Sequence, residues 1–103
     1  MNPQMNQMSG EKKSSFTPKQ GQYLAFIDAY TRVHLTAPAE ADIQRRFDVT
    51  PPSVHQMILT LERAGLIRRQ PRTPRSIEVL VPPENLPVLE MPVQPVITSV
   101  PRY

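Results

Sequence analysis

The side chains with usable chemistry gather in one short stretch. From Thr50 to Ile67 the sequence reads TPPSVHQMILTLERAGLI, and Ser53, His55, Gln56 and Thr60 carry its compact polar groups. Each can donate or accept a hydrogen bond, so their common chemistry is reading a patterned polar surface. Leu59 stands among them as an apolar contact. Just downstream, Arg63, Arg68, Arg69, Arg72 and Arg75 lie between Glu62 and Glu78. A run of arginine without lysine favours planar, bidentate recognition of anions such as phosphate. The plainer alternatives are an amphipathic helix entering a strand and a solvated charged surface. A solvated surface would more often use Lys and mix in acids.

Bond-making chemistry has few candidates. His34 and His55 are not spaced as a metal pair, and without cysteine no thiolate site can be completed. The three glycines are isolated, so no phosphate-binding loop is present. The reading is therefore no enzyme, no metal and no cofactor.

The elements that must position the polar side chains follow from capping and periodicity. Thr50 caps a helix whose first position, Pro51, lacks an N–H that would go unused there. Val54, Ile58 and Leu61 recur at i, i+4 and i+7, which puts them on one buried stripe. Ser53, His55, Gln56 and Thr60 then fall on the opposite face of a helix over 51–64. Gly65 is a stop able to adopt positive φ. Upstream, Ile43 and Phe47 form an apolar pair in a helix over 38–47. Asp48-Val49 leaves only a tight turn before Thr50, and two helices so joined form a helix-turn-helix. Thr17-Pro18 opens a first helix, with Tyr23, Leu24, Phe26, Ile27 and Tyr30 as a core-facing stripe. Gly21 weakens its first turn by about 1 kcal/mol relative to Ala. After Gly65, strands are expected over 66–69 and 76–81, joined by the Arg- and Pro-bearing loop 70–75.

Composition sets the outer limits. Of thirteen prolines in 103 residues, six crowd the stretch from Pro82 onward, and with the polar start set aside about 65 residues are left to fold. A domain that small buries only ~60% of its unfolded surface. Residues 1–15 are polar and expected to be disordered, 16–81 form the domain, and 82–103 form an extended Pro-rich tail. Apolar residues in that tail, such as Val88, Leu89, Val93 and Ile97, imply that it packs along the domain or binds a partner. No apolar run reaches the ~20 residues of a membrane span. Absence of cysteine fits a reducing cytoplasm. The formal net charge is +3.

Three blocks carry a family likeness. FTPKQGQYLAFIDAY, ADIQRRFDV and PPSVHQMILTLERAGLIRR resemble the winged-helix DNA-binding domain of LexA-type repressors, over about 16–81. The last block is also similar to MarR-type regulators. Ala39 stands where the family usually has a capping Thr, Asp48 where Gly is usual, and the turn is one residue shorter. LexA-type proteins continue into a self-cleaving domain with a Ser–Lys dyad, which is not expected in this sequence.

The resemblance implies an α+β, three-helix winged helix-turn-helix with a two-stranded β-hairpin wing. It implies sequence-dependent binding of double-stranded DNA by a transcriptional regulator, cytoplasmic and nucleoid-associated. Ser53, His55, Gln56 and Thr60 would read bases, and Thr50, Arg68, Arg69, Arg72 and Arg75 would hold the DNA backbone. A homodimer, or a protein partner on the 82–103 tail, would complete the assembly, with no membrane involved. Two rivals are a winged-helix module for protein interaction through its tail and a non-specific nucleoid-type DNA binder.

Overall fold

The computed structural model describes residues 15–90. The disorder expected over 1–15 and the tail beyond Glu90 lie essentially outside that range. Three helices, α1 (Pro18–His34), α2 (Glu40–Phe47) and α3 (Pro51–Arg63), precede a two-stranded hairpin, β1 (Ile67–Arg68) and β2 (Glu78–Val79). A single 3-10 turn, Pro83–Asn85, follows. The strands are antiparallel, with Ile67 opposite Val79 and Arg68 opposite Glu78. This is the α+β winged helix-turn-helix expected from the sequence.

Local chemistry accounts for the helix ends. Thr17 Oγ1 accepts the Gln20 N–H at 3.1 Å while Gln20 Oε1 accepts the Thr17 N–H at 2.9 Å, a reciprocal capping box. Phe16 lies over Gly21, where a Cβ would come within 2.9 Å of Phe16 Cε1 and 3.0 Å of Pro87 Cγ. The glycine is thus a point of close approach in a turn that is well capped. Helix α3 ends with the Gly65 N–H on Glu62 O and the Leu66 N–H on Leu61 O, both 3.0 Å. That pair of bonds, with Gly65 at φ 78°, is a Schellman stop.

Two expectations about element bounds need correction. Helix α2 begins at Glu40 and not at Pro38, because Ala39 is extended and occupies the cap position. Alanine cannot cap, so the Asp42 carboxylate takes over by accepting the Ala39 N–H at 2.9 Å. Each strand is two residues long, shorter than the 66–69 and 76–81 expected, although the Leu80 N–H still reaches Leu66 O at 2.9 Å. Between the strands, the loop forms two successive Pro-Arg turns. In both, proline precedes a left-handed arginine, Arg72 at φ 55° and Arg75 at φ 57°. This is the residue order of a type II turn, with arginine where glycine is preferred. Ser76 Oγ ties them together, accepting the Gln70 N–H at 3.0 Å and donating to Thr73 O at 2.7 Å.

The core sits where the three helices and the hairpin converge. Tyr23, Leu24 and Ile27 from α1 meet Ile43 from α2, Val54, Ile58 and Leu61 from α3, and Leu66, Ile67, Ile77 and Val81 from the wing. Tyr23 and Phe47 stack with centroids 4.2 Å apart, and Phe26 meets Phe47 edge-on. Tyr30 departs from the expected stripe: it is half-buried, and its hydroxyl faces the wing.

Residues 82–90 return along α1. Leu86 packs against the core, and the Gln22 amide grips the backbone at two points, donating to Val88 O at 2.9 Å and accepting the Glu90 N–H at 2.8 Å. Arg46, set over Phe47 and Phe26, donates to Glu90 O. Of the two fates expected for the tail, this part packs on its own domain. Within it the chain is not wholly extended as expected, since Pro83–Asn85 forms a 3-10 turn. Accordingly, Ile58→Ala should cost about 2–5 kcal/mol, as for a fully buried branched side chain, and Leu86→Ala about 1–2 kcal/mol. Urea unfolding checks both, and a Leu86→Ala variant as stable as the parent would contradict the packing of the tail.

Candidate nucleic-acid interface

Helix α3 presents its faces unequally. Val54, Ile58 and Leu61 are wholly buried, so the side chains between them point outward. Ser53, His55 and Gln56 are exposed, and Leu59 and Thr60 are half-buried. Ser53, Gln56 and Thr60 therefore lie together, while His55 sits on the other flank beside Glu40 of α2, and the four are not equally free. Ser53 Oγ lies 2.9 Å from Thr50 Oγ1, which also accepts the Ser53 N–H at 3.4 Å, so both hydroxyls belong to the helix cap. Thr60 donates to Gln56 O at 2.9 Å, leaving its oxygen to accept. The Gln56 side chain has no protein partner among the described residues, and both its amide atoms are available.

Beside this face lies a shallow cleft lined by Thr17, Lys19 and Gln20 of the first helical turn and by Ser53, Gln56, Met57 and Thr60. Lys19 is not singled out by the sequence pattern, because it sits far from the arginine run. The only signal for it is its place one residue after Thr17-Pro18, at a helix start. The fold brings Lys19 to the same cleft as the polar face.

The arginines divide into two groups. Arg68 pairs across the hairpin with Glu78, with Nη2–Oε1 at 2.6 Å. Arg69 bonds Glu62 Oε1 at 3.1 Å and approaches Glu40 Oε2 at 3.7 Å. Arg75 is held most firmly, donating to Tyr30 Oη at 3.1 Å and Ala37 O at 3.3 Å and pairing with Asp42 Oδ2 at 3.1 Å. All three guanidinium groups are already paired with carboxylates, so a phosphate would compete with an acid for each of them. Arg72 and Arg63 are exposed and, with Lys19, have no partner among the described residues.

Asp42 connects α2 to the wing. The Ala39 N–H, with Arg75, Arg45 and the Tyr30 hydroxyl, holds its carboxyl below the usual carboxylate range, against a contrary effect of burial. Among the described residues no group of acids, histidines or cysteines could hold a metal ion. No helix among them is long and apolar enough to cross a membrane.

The LexA DNA binding domain family model matches residues 13–76. The chain belongs to that family. This LexA-type domain is 35% identical over 72 residues to the LexA repressor of Thermosipho africanus strain TCF52B, covering 70% of this chain and 36% of that protein. It is 34% identical over 70 residues to the LexA repressor of Thermosipho melanesiensis, covering 68% and 35%. A third relative, the LexA repressor of Thermotoga neapolitana, is 33% identical over 63 residues, covering 61% and 32%. The LexA-type chain thus spans about a third of the length of the curated relatives it matches. The matched region contains all three helices and the tandem wing turns up to Ser76.

The Asp42 network makes a pH prediction. Its folded value lies below the unfolded value of about 4. Its contribution is therefore complete above the unfolded value and drains away as pH falls through the folded one. In urea unfolding between pH 7 and pH 2, Asp42→Asn should be less stable at neutral pH and lose less stability on acidification. Parallel stability curves for the two proteins would contradict this.

Proposed function

We propose that this domain binds duplex DNA in a sequence-dependent manner and acts as a transcriptional regulator. The observation that carries the reading is the outer face of α3, polar and open at Gln56 and backed by a fully buried stripe. The relatives' name, repressor, favours the same direction of control. In this reading the first half of α3 enters the major groove, as the second helix of a helix-turn-helix does. Gln56 suits bidentate pairing with adenine N6 and N7. Ser53, His55 and Thr60 flank it as secondary readers, and Leu59 is placed for a thymine methyl. Thr50, at the start of α3, meets a phosphate through its hydroxyl, where the helix dipole favours an anion; Pro51 and Pro52 carry no N–H, and the Ser53 and Val54 N–H groups are already bonded to Thr50.

Among the described residues, Lys19, Arg63 and Arg72 are the cations free to meet phosphates without giving up a partner. Arg68 and Arg69 can join them only by sharing or trading their carboxylates. Arg75 acts chiefly as the strut that holds the wing on α1 and α2, and only secondarily as a backbone contact. A homodimer formed through the tail gains no support from residues 82–90, whose contacts are made within the chain. Pairing of two copies on adjacent half-sites, or a protein partner, would engage other surfaces. The non-specific alternative predicts equal affinity for selected and random duplexes.

Titrations against a selected duplex and a random one, at several salt concentrations, test the reading. Affinity should fall steeply with salt through counterion release, and the selected duplex should bind more tightly at every concentration. Arg72→Ala should lower the salt slope by about 1 and weaken all duplexes alike. Arg75→Ala should instead lower stability. Gln56→Ala should cost about 1–3 kcal/mol at one base position with folding unchanged. A salt-independent affinity, or an unaltered selected motif for Gln56→Ala, would count against this assignment.

A further inference from the structure

Glu40 is an acid on a face otherwise suited to meeting a polyanion. It is the first residue of α2, and its side chain is 40% exposed. Its Oε2 lies 3.4 Å from His55 Nδ1 on α3 and 3.7 Å from Nη1 of Arg69, the residue after β1. Arg69 in turn bonds Glu62, so the charged groups around the imidazole are Glu40, Arg69 and, through Arg69, Glu62. An ionised carboxylate only accepts hydrogen bonds. A neutral imidazole facing it must carry its proton on Nδ1, and the other nitrogen, Nε2, is then an acceptor. The bond made by one ring nitrogen sets the role of the other. His55 is half-exposed, with its side chain at 54% of full accessibility, so that acceptor is presented to whatever binds α3.

We propose that Glu40 is a positioning residue for recognition: it holds His55 on the outer face of α3 as a hydrogen-bond acceptor, selecting a base with an exocyclic amine. In the major groove those bases are adenine, through N6–H2, and cytosine, through N4–H2, while guanine and thymine offer only acceptors at the corresponding edge. Specificity at one base pair thus depends on a side chain of the neighbouring helix that need not touch DNA. This inference rests on the DNA-binding reading given above.

The test is selection from a randomised duplex pool at pH 8, where an ordinary imidazole is neutral, with the full chain. The proteins compared are the parent, His55→Ala, Glu40→Ala, Glu40→Gln and the double variant Glu40→Ala/His55→Ala, each checked for folding by thermal unfolding. The parent should prefer adenine or cytosine at one position. His55→Ala and Glu40→Ala should each lose about fivefold discrimination at that same position, the low end for a good base contact. The double variant should lose no more. Glu40→Gln, whose amide oxygen still accepts from Nδ1–H, should keep the preference. If Glu40→Ala does not fold, Glu40→Met, which keeps the stem without an acceptor, carries the same expectation.

An unaltered motif for Glu40→Ala beside a changed one for His55→Ala would overturn the inference. So would a His55-dependent preference for guanine or thymine, or equal affinity changes on all duplexes for Glu40→Ala and Glu40→Gln. In each case the DNA-binding reading would stand. A parent protein that selects no sequence at all would remove both.

Discussion

Complete burial of Val54, Ile58 and Leu61 on one side of α3 is the constraint on which the other features depend. Each such side chain contributes about 1.5–3 kcal/mol by leaving water, so rotation of the helix about its axis is strongly resisted. With the buried stripe set, the outward positions are set too, and Gln56 projects from a rigid support. The ends of α3 reinforce this. Thr50 closes the first turn, and the Schellman bonds around Gly65 send the chain directly into β1. A small domain has little core to spare, and here the same residues provide stability and orient the polar outer face of α3.

A second layer of control is electrostatic. The arginine-rich segment that follows α3 is largely neutralised from within, by Glu78, Glu62, Glu40 and Asp42. These pairs are mostly exposed, where an ion pair contributes ~0–1 kcal/mol, so they direct side chains more than they stabilise the fold. Arg75 is the best anchored, because Tyr30 and the Ala37 carbonyl join Asp42 in holding it. The wing is thereby fastened to α1 and α2 at its base while Arg72 stays exposed at the tip. Among the described residues this leaves Lys19, Arg63 and Arg72 unpaired, with Lys19 on the cleft beside Gln56.

How much of this was legible in the sequence depends on the range of the interaction. Caps and stripes are local, so Thr17-Pro18, Thr50-Pro51 and the i, i+4, i+7 pattern of α3 locate two helices closely. The left-handed Asp48 between α2 and α3 is local as well, since aspartate is among the residues that tolerate that conformation. The start of α2 was harder, because Ala39 offers no cap and the substitute, Asp42, acts from three residues downstream. Pairing of Arg69 with Glu40, or of Arg75 with Asp42, joins residues about thirty apart, and no sequence periodicity encodes it. Lys19 reaches the candidate site only through the tertiary fold. The Gln22 grip on residues 88–90 is likewise a tertiary contact, invisible until the tail is seen beside α1.

The central claim is that the outer face of α3, flanked by Lys19 and Arg72, is the surface that meets DNA. Amide and side-chain NMR shifts recorded while a selected duplex is added address it directly, since they map the contact without altering the protein. The account predicts the largest changes at Ser53, His55, Gln56 and Thr60, with further changes at Lys19 and Arg72. Little change is expected at Gln22 or along residues 86–90. Shifts concentrated at Gln22, Arg46 and Val88, with α3 unaffected, would contradict it.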